Sequence, residues 1–429
     1  MSSPARPGID PGANAHDPAA DEVRAVLRDA ATVRSRCHAI LAAVAAGDSA
    51  LFRIDRDRLD AVAERVERVT LAAYPTLQIP FHSRWRHFEA GAVDRKAGLD
   101  ARLAGRSVAD QARARIDLTV VSVLLDAGAG PDWRFDEPGT GLRIGRSEGL
   151  GLASWHAFLQ GLFSDDPGDP LRADAAALRR LDAAALGRAF QVGPGNPLVG
   201  LEGRVALLNR LGDALEARAG DGLPARPGSL FDRLAAADAA GRPRAARVAA
   251  AAVLREVLDA SSSIWLTGAT LHGVPLGDAW RHPQAGGSGP TAGWVPFHKL
   301  SQWMSYSLLE PLAWAGLALD GLDALTGLPE YRNGGLLLDA GVIVPRDPAA
   351  TGRRWRAADP FIVEWRALTV ALLDELAPRV RQRLGRGTDS LPLACILEGG
   401  TWAAGRQIAA EQRPGGPPPL DIESDGTVF

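Results

Sequence analysis

The sequence predicts a mainly α fold, an elaborated helical domain with a helix-hairpin-helix element and a few short strands. Three observations predict it. Apolar residues recur at three-to-four spacing along most of the chain, as one face of an amphipathic helix requires. Runs of β-branched residues bounded by turns, the mark of strands, are sparse. Glycine and proline fall between the periodic stretches, where helices end.

The elements follow in chain order. Residues 1 to about 20, rich in Pro, Ala, Gly and Asp, are expected to be a disordered tail. From Asp21 the pattern is helical, with Val23, Val26 and Leu27 followed by Val33, Ile40, Leu41 and Val44. Leu59, Val62, Val66 and Val69 mark a second helix that ends before Tyr74-Pro75. The stretch Ile79 to Glu89 breaks the rhythm and is dense in aromatic, His and Arg side chains. Ile116, Val120, Val123, Leu124 and Ala127 form a third helix that Gly128 to Pro131 should stop. A helix through Leu152, Trp155, Phe158, Leu159 and Leu162 comes next. More are expected near 175–190, 200–217, 242–260, 298–315 and 361–384, with a short hairpin between Ile264 and Trp280 and a Gly/Ser/Pro loop from Gly286 to Gly293. From Gln412 the chain is a Pro/Gly-rich tail ending in Val428-Phe429, an apolar pair suited to docking.

A length of 429 residues is enough for two or three domains. The motifs below run from residue 79 to residue 367 and must converge on one pocket, so one helical catalytic unit over 21–411 is expected instead. A composition of 46% hydrophobic and 23% charged residues fits a soluble globular protein and excludes a largely disordered one. A formal net charge of -3 argues against a general nucleic-acid binder, which needs a basic field. The start has no basic segment followed by an apolar run, and no stretch is apolar enough to span a membrane; a cytoplasmic location is expected. Cys37 and Cys395 lie in no metal-ligand spacing and are expected to be reduced, packed thiols. Lys96 and Lys299 are the only lysines among 48 basic residues, so arginine is the background charge of this chain.

The clearest local arrangement runs from Leu322 to Gly341. A short apolar segment meets Thr326-Gly327-Leu328-Pro329, and a second helix begins near Glu330 or Tyr331. Glycine and proline suit a tight turn between two helices. Glu330 then sits at a helix N-terminus, where the dipole favours its ionised form. The plain alternative is an N-terminal helix charge beside a packed tyrosine. Upstream, Lys299 and Gln302 are three apart and share a face if a helix starts after Pro296. A first-turn lysine there can meet an anion such as phosphate, and a solvated lysine is the plain alternative.

In the 81–89 segment, Arg84 and Arg86 can fork onto phosphate or carboxylate, and Trp85 and Phe88 can stack on a planar group. His82 and His87 are five apart, which does not match two helical metal ligands. The alternative is a loop anchored by buried aromatics. Asp117 and Asp126 read as helix-surface charges, Asp132 as a turn residue beside Trp133, and Glu148 as a helix-start charge. Glu364 and Arg366 are two apart on a helix, so each should have another partner. There is no GxxxxGK[ST] phosphate loop and no GxSxG elbow, and Gly139 to Gly145 lacks the spacing of a dinucleotide turn.

Five stretches together resemble one family: Ile79 to Gly91, Leu124 to Trp133, Arg146 to Leu150, Pro329 to Gly335, and Leu397 to Trp402 with Asp425 to Phe429. It is the uracil-catabolism protein family of bacteria and fungi, long known as a domain of unknown function. The resemblance covers nearly the whole chain after the tail. It implies a part in degrading uracil through a ribosylated intermediate to urea and a three-carbon acid. A fainter resemblance lies in Phe297 to Gln302, Leu325 to Arg332 and Glu364 to Ala367, which are similar to the queuosine-nucleotide N-ribosylhydrolases. That family is helical, is related to helix-hairpin-helix DNA glycosylases, and cleaves the N-glycosidic bond of a 5′-phosphorylated ribonucleoside. Where it has Asp-Tyr-Arg this chain has Glu330-Tyr331-Arg332, and of its Lys-Arg-Ala-Gln only Lys299 and Gln302 are matched.

The resemblance implies hydrolysis of an N-ribosyl bond, with ribosylurea or its 5′-phosphate as substrate and no metal or redox cofactor. Glu330 is the expected catalytic carboxylate, and Asp132 or Glu364 a second acid for the leaving group. Lys299, with His298 or an arginine of the 84–86 segment, is expected to hold phosphate. Trp85, Trp133 or Tyr331 would pack on ribose or urea, and His82, Gln302, Arg332 and Arg366 complete the expected binding set. Ring opening of a uracil nucleotide, and a non-catalytic partner that channels an intermediate, are the alternatives.

Overall fold

The computed structural model describes residues 17–126, 128–219, 222–236, 246–265 and 268–423. It is mainly α. The helices are α1 (Pro18–Leu27), α2 (Ala30–Ala46), α3 (Leu59–Ala73), α4 (Arg84–Phe88), α5 (Arg95–Leu103), α6 (Val108–Leu124), α7 (Arg146–Leu159), α8 (Ala175–Arg180), α9 (Ala183–Ala189), α10 (Leu201–Ala217), α11 (Ser229–Leu234) and α12 (Ala250–Ser261). After them come α13 (Lys299–Trp314), α14 (Tyr331–Asp339), α15 (Pro360–Leu384), α16 (Leu393–Ile396) and α17 (Trp402–Gln412). A π-helical turn, Leu397–Thr401, joins the last two.

The centre is α15, buried almost continuously from Phe361 to Val380, with Pro360 fixing its first turn. It reads as apolar on most faces because α2 and α3 pack on one side and α14 on another. A second layer forms where α13 crosses α6 and α12, and α7 lies against α6 and α4. One apolar cluster runs from Ala30 to Leu420 across both layers. A smaller cluster joins α1, through Val23 and Leu27, to Val274, Leu276 and Trp294.

The strands are short and pair two by two. Phe52–Ile54 runs antiparallel to Ile343–Pro345, with Phe52 opposite Pro345. Arg247–Ala249 lies parallel to Ala318–Asp320. Thr270–Leu271 and Val274–Pro275 form the expected hairpin, and Ala279–Arg281 pairs with Trp294–Pro296.

Several boundaries differ from the sequence reading, mostly because short polar side chains cap the backbone. The periodic stretch 21–44 is two helices, since Asp29 accepts from the N–H of Ala31 and starts α2 afresh. Asp182 divides the expected 175–190 helix in the same way. Ser107 caps α6 eight or so residues before its apolar pattern becomes clear. Asp117, read as a surface charge, is wholly buried and takes bonds from Arg226 and from the N–H groups of Ala173 and Gly228. The two-helix turn is not formed as expected: its first arm is a single 3-10 turn, Leu322–Ala324, and the chain then runs extended to α14. Both cysteines are free and buried. Gln412, read as the start of the tail, is the last residue of α17, and the chain from Arg413 to Glu423 folds back, pairing Asp421–Ile422 with Arg354–Trp355. Ala127, residues 242–245 and Val428-Phe429 lie outside the described residues.

Candidate active site

The site is built on Glu330, the N-cap of α14. Its Oε2 accepts from the N–H of Arg332 at 2.7 Å and its Oε1 from that of Asn333 at 2.5 Å. The strap before it is pinned from three sides. Gln302 of α13 exchanges two bonds with Thr326, at 2.9 and 2.6 Å. The Tyr306 hydroxyl donates to the Thr326 carbonyl, and Asn333 Nδ2 donates to Leu328 O. Glycine at 327 is obligatory because a Cβ would lie 2.6 Å from Leu373 Cδ1. Glu330 is 5% exposed, and burial raises its pKa against the opposing pull of the two N–H groups, Lys299 and His82.

Lys299 opens α13. The residue before it, His298, sits in left-handed backbone at φ 48°, and Asp278 accepts from the Lys299 N–H at 3.0 Å. Asp278 is a hub the sequence reading missed. Arg366 forks onto its two oxygens at 2.7 Å each, and Trp280 Nε1 also donates to it. Those charges hold the Asp278 carboxyl down at about 2 despite its burial. Arg366 also donates to Pro329 O at 3.4 Å, so one ion pair ties α15, the start of α13 and the strap before Glu330. The Lys299 side chain keeps some solvent access but is densely surrounded. That desolvation lowers its pKa, and Glu330 is the strongest charge acting the other way, ahead of Asp126.

The third group comes from α4 and α7. Arg84, fully buried, donates from Nε to Ser122, and from Nη1 to Asp126 Oδ1 at 2.7 Å, His87 Nδ1 at 2.7 Å and Ser147 O at 3.1 Å. Its guanidinium lies 5.8 Å from the Trp303 ring centre. Gly151 lets α7 come this close, since a Cβ there would stand 3.0 Å from His87 Cβ. His87 is held neutral, its pKa pushed down to about 3 by burial and Arg84. Because Arg84 can only donate, the His87 proton sits on Nε2. Among the described residues, Arg84 Nη2 and Trp303 Nε1 are buried donors with no protein acceptor. A cleft of about 530 Å³ is lined by Gly128–Gly130, Arg146, Ser147, Tyr331, Arg332 and residues 414–418, and shares Ser147 with this group. Tyr331 is 38% exposed there, and Arg332 reaches Gly416 O at 3.1 Å.

The expected site residues thus divide. Glu330, Lys299 and His82 share one electrostatic neighbourhood, Asp126 acts on both Lys299 and Arg84, and Tyr331 and Arg332 line the cleft. Gln302, His298 and Arg366 are buried frame residues; His298 Nε2 bonds to Leu27 O at 2.7 Å. Five expected placements are corrected. Trp85 and Trp133 are core residues: their indole N–H groups go to Ser307 O and Phe190 O, and with 2% and 0% exposure their faces meet only protein. Asp132 is exposed on its turn, with no side-chain hydrogen bond to another site residue among the described residues. Glu364 is spent on Ser49 and His282, deep beside α2. Arg86 pairs with Glu310 at 2.7 Å and Glu89 at 2.9 Å. Asp126, Glu148, His87, Trp303 and Asp278 are additions. Asp126, Glu148 and His87 stood in the quoted stretches, but spacing alone gave no sign that they meet.

Fold and site define a mainly helical protein with a buried carboxylate at a helix start, a desolvated lysine and two histidines, and with a cleft lined by the two residues that follow that carboxylate. The chain belongs to the family described as "Protein of unknown function (DUF1688)", whose model matches residues 26–429. It is 39% identical over 407 residues to "Uracil catabolism protein 4" of Lachancea kluyveri, covering 88% of this chain and 92% of that one. It is 38% identical over 387 residues to "Protein urg3" of Schizosaccharomyces pombe (strain 972 / ATCC 24843), with the same coverage of 88% and 92%. No helix of the described residues is long and apolar enough to cross a membrane.

Proposed function

We propose that this chain acts in uracil catabolism by hydrolysing an N-ribosyl bond, with ribosylurea or its 5′-phosphate as substrate and urea as product. The place in uracil catabolism rests on the name of the Lachancea relative. The reaction rests on one observation above all: a buried carboxylate at a helix N-terminus, in the field of a desolvated lysine and followed by two residues that line a cleft. Cleavage of such a bond builds positive charge on the ribose anomeric carbon. A preorganised carboxylate in a low-dielectric site stabilises that charge strongly, because it need not reorganise. Glu330 takes this role. As the C1′–N bond breaks, its electron pair goes to the urea nitrogen, which gains a proton. Water then adds to C1′ and loses a proton. Lys299, with Arg146 and Arg332 at the cleft mouth, supplies the cationic surroundings a sugar phosphate needs. Tyr331 offers a ring face to ribose or urea.

The test is to incubate the purified chain with ribosylurea and with its 5′-phosphate and to assay urea and the freed sugar. Glu330→Gln should lower kcat by ~100-fold or more, the scale on which such groups act, while thermal unfolding shows the fold retained. Unchanged turnover in the variant removes Glu330 from the mechanism. A ring-opened product with the sugar still attached, or no turnover of either compound, replaces hydrolysis by one of the two alternative readings.

A further inference from the structure

With Asp132 on a surface turn and Glu364 bound elsewhere, neither expected acid is placed to handle the proton of this reaction. His82 Nδ1 lies 2.7 Å from Glu398 Oε2. An ionised carboxylate only accepts, so the ring proton belongs on Nδ1 and the neutral ring presents the lone pair of Nε2. No other side-chain bond to the ring is formed within the described residues. The ring centre stands 6.5 Å from that of Trp303, the indole whose own N–H is unpaired, and His87 stands 5.6 Å from the same indole. The two histidines therefore flank one indole with opposite tautomers, His82 offering an acceptor and His87 a donor. Glu330 is close enough to His82 for its charge to be felt.

The backbone is built to hold the pair. His82 N–H donates to Ala394 O at 3.0 Å, and the next residue, Ser83, bonds to Glu310. Glu398 lies on the π-helical turn, a widening often found at functional sites. Gly400 allows that turn to press on α3, since a Cβ there would meet Val66 Cγ1 at 2.5 Å and Thr70 Oγ1 at 2.6 Å. The Tyr74 hydroxyl reaches the other Glu398 oxygen at 3.5 Å.

We propose that His82 is the proton-transfer residue of this site and that Glu398 is its positioning residue. The inference rests on the hydrolysis reading above. His82, protonated at Nε2 by a proton taken from solvent, gives that proton to the urea nitrogen as the C1′–N bond breaks with its electron pair on nitrogen. The water that then bonds to C1′ returns a proton to Nε2, so the residue ends as it began. Glu398 holds a proton on Nδ1 and fixes the ring, so that Nε2 faces the exchange.

Two measurements on the full chain test it. The first is urea release. His82→Ala should lose ~100-fold or more in kcat with KM little changed, and imidazole added to the buffer should restore part of the rate. Glu398→Gln should lower kcat and Glu398→Asp should recover part of it. Unchanged kcat in His82→Ala, or a loss in KM alone, overturns the proposal. The second needs no substrate. Long-range proton–nitrogen NMR of the histidine rings should show the Nδ1–H tautomer at His82, with mixed tautomers in Glu398→Gln; an Nε2–H ring at His82 overturns the pair. If the wild-type chain releases no urea from either compound, the hydrolysis reading falls, and the tautomer still decides whether the pair exists.

Discussion

Glu330 and Lys299 are each penalised by burial, and the signs of that penalty can be worked out. The Glu330 pKa is raised, so its ionised form is disfavoured by the fold once pH passes the ordinary glutamate value. The Lys299 pKa is lowered, so its charged form is disfavoured at every pH below its folded value, and the penalty fades as pH rises through it. Activity that needs both charges should have an acid limb above the ordinary glutamate range and an alkaline limb below the ordinary lysine range. A pH profile of kcat with both limbs at ordinary values contradicts this. Lys299→Met should abolish most turnover yet leave the melting temperature unchanged or higher near neutral pH, because a desolvated charge has been removed. A marked drop in melting temperature would assign Lys299 to stability instead.

At the scale of elements, most helices were legible because their apolar faces recur at the helical period. The bounds of α3, α10, α13 and α15 fall within a residue or a few of the periodic runs. What was not legible came from short polar residues and from close approach. Asp29 and Asp182 interrupt patterns that periodicity alone joins. The extended strap before Glu330 replaces a helix because Gln302, Tyr306 and Arg366 bind its backbone, and those partners are distant in sequence. The identity of Glu330 and Lys299 as polar residues at helix starts was readable from local sequence. That Asp126 joins them and Glu364 does not was set by packing. Glycines record the same packing. At Gly405 a Cβ would stand 2.1 Å from Arg332 O, so α17 meets α14 backbone to backbone beside the Glu330 cap. Gly405→Ala should cost about 1–3 kcal/mol, the usual range for overpacking, measured by denaturant unfolding, and should lower kcat as well. A variant as stable and active as the parent would show that the two helices separate freely.

At the scale of the molecule, the segment after α17 forms one wall of the cleft. Arg413 forks onto Asp339, and Arg332 reaches Gly416 O. A chain ended at Gln412 should keep its helical core, with an unchanged far-ultraviolet spectrum, but lose part of its substrate contact. KM should rise about ten-fold, equal to about 1.4 kcal/mol of binding, with a smaller change in kcat. Equal KM values would mean that this wall takes no part in binding.

The antiparallel pairing of Phe52–Ile54 with Ile343–Pro345 has a further consequence, in time rather than space. His82 and Glu398 are 316 residues apart along the chain, and Lys299 and Glu330 lie between them. Such non-local closures are slow, because chain entropy is lost before any contact repays it. During synthesis the early helices α2 and α3 emerge long before α15, the helix that covers their apolar faces. They must wait with those faces uncovered, a state prone to aggregation. An N-terminal product that ends before α15 should be inactive, and yield in a foreign host should depend more on chaperone supply and growth temperature than on the final stability of the fold.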